Sequence, residues 1–381
     1  MLPIFFELLQ IAIGNKDRLS VIPTEQEWRA LYACAQRQAL EGITFLGIEQ
    51  LEAAQRPPRR LLLEWYAVTE SIKTRNAELH KENLRVVNHF LKDGFQVAVL
   101  KGQNMARLYP KGEYRTSGDI DLWVNCGRDR ILAYAKAAMP GFKFLYHHVD
   151  FIPDGGTEIE AHYTPSWMSS YFRNRSLQRF FRISAGDVFS SHMQNICVDN
   201  GTLLYKELPV PTLSFNRVYI LVHIYRHLFG EGIGLRQVLD YYHVLHQGFT
   251  EEEKTDTLKV LKSLGMLRFA SAMMYVLQTV FCMDDKFLLL PPNEKEGRFL
   301  LGEIMIAGNF GHFDPRIIRK ANESDMELFL RRVGRNIRFI WHYPSEVLWT
   351  PFFKIWHYCW RKYVNISMHR YSDFKNPDTA W

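Results

Sequence analysis

Apolar positions along this chain follow three successive rhythms. From residue 1 to about 93 the spacing is helical: Leu2 to Ile13 reads as an amphipathic helix, and Glu25 to Leu40 as another with Thr24 as its N-cap. A long helix follows Pro57 and Pro58, where Leu79, Val86 and Phe90 recur between charged positions, and Gly94 stops it. After Gly94 the pattern shortens. FQVAVL predicts a short buried strand, GQNMARLY a short helix, YPKGEYRTSG a loop punctuated by Gly and Pro, and DIDLWV a second strand. Arg128 to Ala138 reads as a helix, and Phe142 to Tyr146, His148 to Ile152 and Thr157 to Tyr163 as further strands. From Pro211 helical spacing returns in SFNRVYILVHIYRHLF, LRQVLDYYHVL, SAMMYVLQTVF and MELFLRRVGRNIRFIW.

Strands and helices alternating over about 70 residues imply a small mixed β-sheet with helices packed on it. The fold class expected is therefore α+β. A sheet-bearing core spans 94–210, set between an N-terminal helical region, 1–93, and a C-terminal one, 211–381. No internal repeat or low-complexity linker interrupts the chain, so the helical parts should pack onto the sheet as one body.

Composition narrows the class without changing that picture. With 381 residues and 47% hydrophobic content the chain can bury a large core and is not disordered. Its net charge of +6 comes from 47 basic against 41 acidic residues spread along the sequence, and by itself predicts neither nucleic-acid nor membrane binding. Cys34, Cys126, Cys197, Cys282 and Cys359 are scattered, odd in number and without CxxC spacing, which argues against a disulfide framework and fits a reducing cytoplasm. The apolar N-terminus has no basic residues ahead of it and no small-residue cleavage site, so secretion is not expected. No stretch approaches the roughly 20 uncharged apolar residues of a spanning helix; VLWTPFFKIWHYCWRKYV is broken by Lys354 and His357.

Candidate chemistry concentrates between Val99 and Val124. Ile120 and Leu122 interleave Asp119 and Asp121, so on a strand both carboxylates share one face, roughly 6.5 to 7 Å apart. Two hard-cation ligands side by side, downstream of a glycine turn, suit Mg²⁺ and the triphosphate of a nucleotide. Glycine at 102 lets backbone N–H groups approach a phosphate because it has no Cβ. Lys101, Arg115 and Ser117 stand where they can donate to the same oxygens. On the later strand T-E-I-E-A-H, Glu158, Glu160 and His162 alternate onto one face.

The arrangement LKG, a short helix, then R-x-S-x-D-I-D-L-x-V resembles the nucleotidyltransferase superfamily of the DNA polymerase β type, and more closely the bacterial family of uncharacterised nucleotidyltransferases. The similarity runs along most of the chain, with its specific residues between Leu100 and His162. It implies a polymerase β-like core and an enzyme that moves a nucleoside monophosphate from an NTP to an acceptor hydroxyl, releasing pyrophosphate. Asp119, Asp121 and Glu160 would be the catalytic metal ligands for two Mg²⁺ ions, with Glu158 the alternative third acid. Lys101, Gly102, Gln103, Arg115 and Ser117 would bind the nucleotide, joined from the helical half by Arg236 and Asp240. The acceptor, whether a small molecule, sugar, peptide, protein or RNA, is not specified by such a motif. The superfamily usually has Gly or Ser directly after the glycine, whereas this chain has Gln103, and the gap to Asp119 is long. That departure keeps a second expectation open: a nucleotide-binding or protein-interaction module on the same fold that has lost the reaction.

Three further groupings carry expectations. His223 and His227 share a helix face, as do Arg236 and Asp240. Ile224 stands where a zinc protease motif needs glutamate. The four are either a buried polar network, with Asp240 pairing Arg236 and orienting a histidine, or a wall of the active site. His147, His148 and Asp150 fall on a strand whose neighbours point to opposite faces, which argues against a three-ligand site. The C-terminal stretch interleaves Trp341, Trp349, Trp356 and Trp360 with Arg331, Arg332, Arg335, Arg338, Arg361 and Lys362, and helical spacing assigns the aromatics to core and the cations to solvent.

Overall fold

Strand geometry sends successive side chains to opposite faces, and this sheet uses that alternation to separate carbon from charge. The computed structural model describes residues 2–138, 142–151, 157–190, 208–316, 318, 320 and 323–369. Its strands are β1 (Val97–Val99), β2 (Ile120–Val124), β3 (Lys143–Phe144), β4 (His148–Phe151) and β5 (Ile159–His162). They form one sheet in the order β1-β2-β5-β4-β3, with β2 and β5 parallel and the other neighbours antiparallel. Ile120, Leu122, Val124, Val149, Phe151, Ile159 and Ala161 enter one apolar core. Asp121, His148, Asp150, Glu160 and His162, of the opposite parity, face the other way.

Fourteen α-helices accompany the sheet among the described residues. Before it come α1 (Leu2–Ala12), α2 (Glu25–Gln38), α3 (Glu41–Gln50) and α4 (Arg59–Lys92); between its strands lie α5 (Gln103–Ala106) and α6 (Arg128–Ala138). After it come α7 (Tyr171–Ser190), α8 (Leu213–Gly230), α9 (Leu235–His246), α10 (Glu251–Ser263), α11 (Leu267–Phe281), α12 (Glu294–Ala307), α13 (Asp325–Ile337) and α14 (Pro344–His369). The fold is thus α+β, a small mixed sheet flanked by helices.

Leu79, Val86, Val87 and Phe90 of α4, with Ile131 and Ala135 of α6, cover the apolar sheet face. The other face meets a larger helical core, where Trp123 of β2 stacks on Phe215 of α8 with ring centroids 5.4 Å apart. Helices from both ends of the chain share that core. Gln10 of α1 donates to the Val280 carbonyl at 2.9 Å, and Asn15 to that of Phe281 at 2.6 Å. Thr24 caps α2 as its sequence predicts, within a reciprocal capping box with Glu27.

Several elements differ from the sequence reading. The strands β1, β2, β3 and β5 are shorter than their apolar runs, β2 begins at Ile120 rather than Asp119, and Ile152, expected to end β4, lies outside the described residues. The helices α3, α7, α10 and α12 have no counterpart in that reading. The sorting expected of the C-terminal stretch holds in part: Trp360 is half-buried against Tyr146, whereas Trp341 and Trp356 are 85% and 46% exposed and Arg335 is buried. Cys34, Cys126, Cys282 and Cys359 are free thiols, and Cys197 lies outside the described residues. No described helix is long and apolar enough to cross a membrane.

Candidate active site

Register across the charged face assembles the site. The parallel pairing of β2 with β5 sets Asp121 opposite Glu160, and the antiparallel pairing of β5 with β4 sets Glu160 opposite Asp150 and His162 opposite His148. A row of three carboxylates therefore crosses the sheet beside a row of imidazoles. Burying carboxylates costs several kcal/mol each unless they are paired, and here each has a partner. Lys101 Nζ lies 2.6 Å from Asp121 Oδ1, and His162 Nε2 lies 3.1 Å from both Asp121 Oδ1 and Glu160 Oε2. His148 Nε2 is 2.8 Å from Asp150 Oδ1.

Protonation follows from those neighbours. Burial alone would depress the Lys101 ammonium, but the charge of Asp121 above all holds its pKa above the ordinary lysine range. Burial likewise opposes protonation of His162, and its hydrogen bonds to Asp121 and Glu160 reverse the sign and raise it. Glu160, which burial would push up, is held well below the usual carboxylate range by His162 and Lys101. Lys101 and His162 thus bridge Asp121 and Glu160 on this face.

Lys101 reaches this face from a turn that requires glycine. Gly102 has φ +55°, and a Cβ there would meet the Asp119 carbonyl oxygen at 3.3 Å. The loop beyond α5 is pinned on both sides. Asn76 of α4 donates to the carbonyls of Glu113 and Arg115, each at 2.7 Å. Arg115 Nε and Nη2 donate to the two oxygens of Asp240 in α9 at 2.7 and 2.8 Å, Tyr109 donates to the same carboxylate, and Arg115 Nη1 donates to Ser117 Oγ at 3.0 Å. This corrects the network expected from sequence: the partner of Asp240 is Arg115, not Arg236, and Asp240 orients a guanidinium rather than a histidine. Arg236 instead donates to the Thr116 carbonyl at 3.1 Å.

Lys101, Gly102, Arg115, Asp119, Asp121, Arg236 and Asp240 line one cleft, closed on the α8 side by His223. The other nucleotide-binding candidates sit differently. Gln103 is buried at the start of α5, its amide without a hydrogen-bond partner among the described residues, and Ser117 is half-buried against Arg115. Glu158 is exposed ahead of β5, so of the two acids considered for the third position it is Glu160 that stands opposite Asp121. Asp119 is exposed and precedes β2, so strand alternation places Asp121 but not its neighbour. Donor atoms gather within 4.8 Å of one another in three overlapping groups: Asp121, Glu160 and His162; His148, Asp150 and Glu160; His147, His148 and His162. None of these groups holds His147, His148 and Asp150 together; His148 joins His147 in one and Asp150 in another. Because β4 begins at His148, His147 lies outside the strand and turns inward, bringing the two rings to 4.3 Å. Arg226 of α8 also joins the cluster without having been singled out, since only the packing of α8 over the sheet brings it to His147.

The model of a family of uncharacterised nucleotidyltransferases matches residues 24–282, well over half of the chain. This protein belongs to that family. No curated protein and no solved structure matches it. The matched span of this nucleotidyltransferase-family chain includes the whole sheet, the Gly102 turn and both α8 and α9.

Nucleotidyltransferases generally use divalent cations, and the chain has groups suited to holding one. Asp121 and Glu160 present carboxylate oxygens to each other across β2 and β5, and Asp121 Oδ2, though buried, accepts no hydrogen bond from a described residue. Oxygen donors with unused lone pairs fit a hard divalent ion.

Proposed function

We propose that this nucleotidyltransferase-family protein is a Mg²⁺-dependent enzyme that transfers a nucleoside monophosphate from an NTP to an acceptor hydroxyl. The hydroxyl oxygen bonds to the α-phosphorus, the bond from that phosphorus to the bridging oxygen breaks, and pyrophosphate leaves. Asp119, Asp121 and Glu160 hold two Mg²⁺ ions, which when bound neutralise the triphosphate and lower the pKa of the acceptor hydroxyl. Lys101 supplies positive charge to the phosphate oxygens, and the backbone at Gly102 approaches them closely. Arg236 faces the same cleft, Arg115 and Asp240 brace its wall, and Gln103 and Ser117 complete the nucleotide-binding set. The observation that carries this reading is the in-register pairing of Asp121 with Glu160 on a buried sheet face, directly under Lys101.

The test is transfer of label from an α-phosphate-labelled NTP. Asp121→Asn and Glu160→Gln should fold with unchanged circular dichroism and lose Mg²⁺-dependent turnover by roughly a hundredfold or more, as expected when charge stabilisation of a transferring phosphoryl group is removed. Wild-type turnover in both variants rejects the assignment. A second reading, nucleotide binding without transfer, draws on the Lys101–Asp121 contact of 2.6 Å, in which the protein's own cation already satisfies a carboxylate assigned to metal. Calorimetry separates the two: binding of NTP with no pyrophosphate released in the presence of candidate acceptors supports the module.

A further inference from the structure

We propose that His148, Asp150 and Glu160 form a second cation site, one that takes an imidazole-accepting divalent transition metal of the Zn²⁺ or Mn²⁺ class. It shares Glu160 with the nucleotide-site assignment and none of its other ligands.

The arrangement of donor atoms on β4 and β5 leads to it. Arg226 Nη1 lies 2.8 Å from His147 Nε2. A guanidinium only donates, so that nitrogen is an acceptor and the His147 proton sits on Nδ1. His148 Nδ1 lies 3.1 Å from the same acceptor, so His148 donates from Nδ1. The other ring nitrogen of His148, Nε2, faces carboxylates: Asp150 Oδ1 at 2.8 Å and Glu160 Oε1 at 3.9 Å. Three atoms that can each ligate a metal converge there, all within 4.8 Å of one another. Asp150 Oδ1 is buried and accepts no aligned hydrogen bond from a described residue despite the 2.8 Å separation. Close but unaligned donor atoms are what two ligands of one metal present.

Distances and framework agree. Donors bound about 2.1 Å from one ion lie roughly 3.0 to 3.4 Å from each other in octahedral or tetrahedral geometry. The observed separations bracket that range, and all three donor atoms lie within 4.8 Å. His148 and Asp150 are alternate residues of β4, and Glu160 is the register partner of Asp150 on β5, so sheet hydrogen bonds hold the set. His148 and Asp150 are 5% and 7% exposed, which makes this a site within the core rather than a surface cluster. The relay from Arg226 through His147 to His148 Nδ1 is the kind of outer contact that fixes the tautomer and orientation of a metal-binding imidazole. One nitrogen and two carboxylates select a borderline cation over Mg²⁺, which prefers oxygen alone.

The experiment uses the full chain, stripped with chelator and titrated with Zn²⁺ alone, without nucleotide, by calorimetry, with Co²⁺ absorption as a second readout. One equivalent of Zn²⁺ should bind in the presence of millimolar Mg²⁺. His148→Asn and Asp150→Asn should each weaken it by at least about tenfold, Arg226→Gln by a similar factor, and Asp121→Asn should leave it in place. Asp150→Asn preserves side-chain shape, and the melting curve of each variant shows whether it is folded. No binding by the folded wild-type protein overturns the proposal. So does binding that survives His148→Asn and Asp150→Asn but disappears in Asp121→Asn, because that places the ion on Asp121, Glu160 and His162. Label transfer is not part of this measurement, so failure of the nucleotidyltransfer reading shows elsewhere.

Discussion

At Gly102 the backbone, not a side chain, sets what the residue can be. Its φ of +55° and the 3.3 Å approach of a Cβ to the Asp119 carbonyl make Gly102→Ala strained, by about 1–3 kcal/mol. The variant should melt lower, and because the turn carries Lys101 its NTP affinity should fall several-fold, read by nucleotide titration. An unchanged melting point would show that the turn accommodates a Cβ. At this scale the sequence was most informative where the deciding geometry is local. Asp121 and Glu160 could be placed on strand faces because parity within four or five residues settles them. Asp119 could not, because one residue of strand length decides whether it obeys the alternation, and β2 starts after it. Asp240 is 125 residues from Arg115, and no local pattern announces that pair.

Among elements, the Arg115–Asp240 pair is what ties the loop after α5 to α9. Both side chains are buried and joined by two hydrogen bonds, with Tyr109 as a third donor. Removing one member leaves the other charge buried, so Asp240→Ala should destabilise the fold by about 3–5 kcal/mol, whereas an Arg115→Met, Asp240→Leu double variant should lose less. Denaturant titration of the single and double variants measures the coupling; additive losses would count against it. The elements that periodicity overlooked have physical reasons. In α3, Gly42 through Ile48 are all buried, so the helix has no polar face for a helical rhythm to reveal. In α10 the informative signal was the capping box of Thr250 and Glu253, not the sparse apolar positions that follow. The grouping of His148 and Asp150 with Glu160 was hidden for a different reason, since it depends on the register of β4 with β5.

Over the whole molecule, buried neutral histidines link stability to pH. His243, buried against Tyr109 with ring centroids 3.9 Å apart, has its pKa pushed by burial down to about 3. His223 shifts in the same direction, through burial and then Lys101. The unfolded chain takes up these protons near pH ~6.5 and the folded one does not, so stability is full above that pH and declines as pH falls toward the folded value. From His243 alone the loss should be on the order of 3 kcal/mol by pH ~4. Denaturation midpoints between neutral and acid pH should fall accordingly, and His243→Phe should flatten part of the slope; identical slopes would remove His243 as the cause. The contact between Gln10 and Val280, 270 residues apart, bears on synthesis as well as on the finished fold. At ordinary translation rates of roughly 5–20 residues per second, α1 emerges about ten to fifty seconds before the chain that covers it exists. Through that interval Phe5, Leu8 and Leu9 have no α11 to bury them, and the nascent chain depends on chaperones or on provisional contacts with α3.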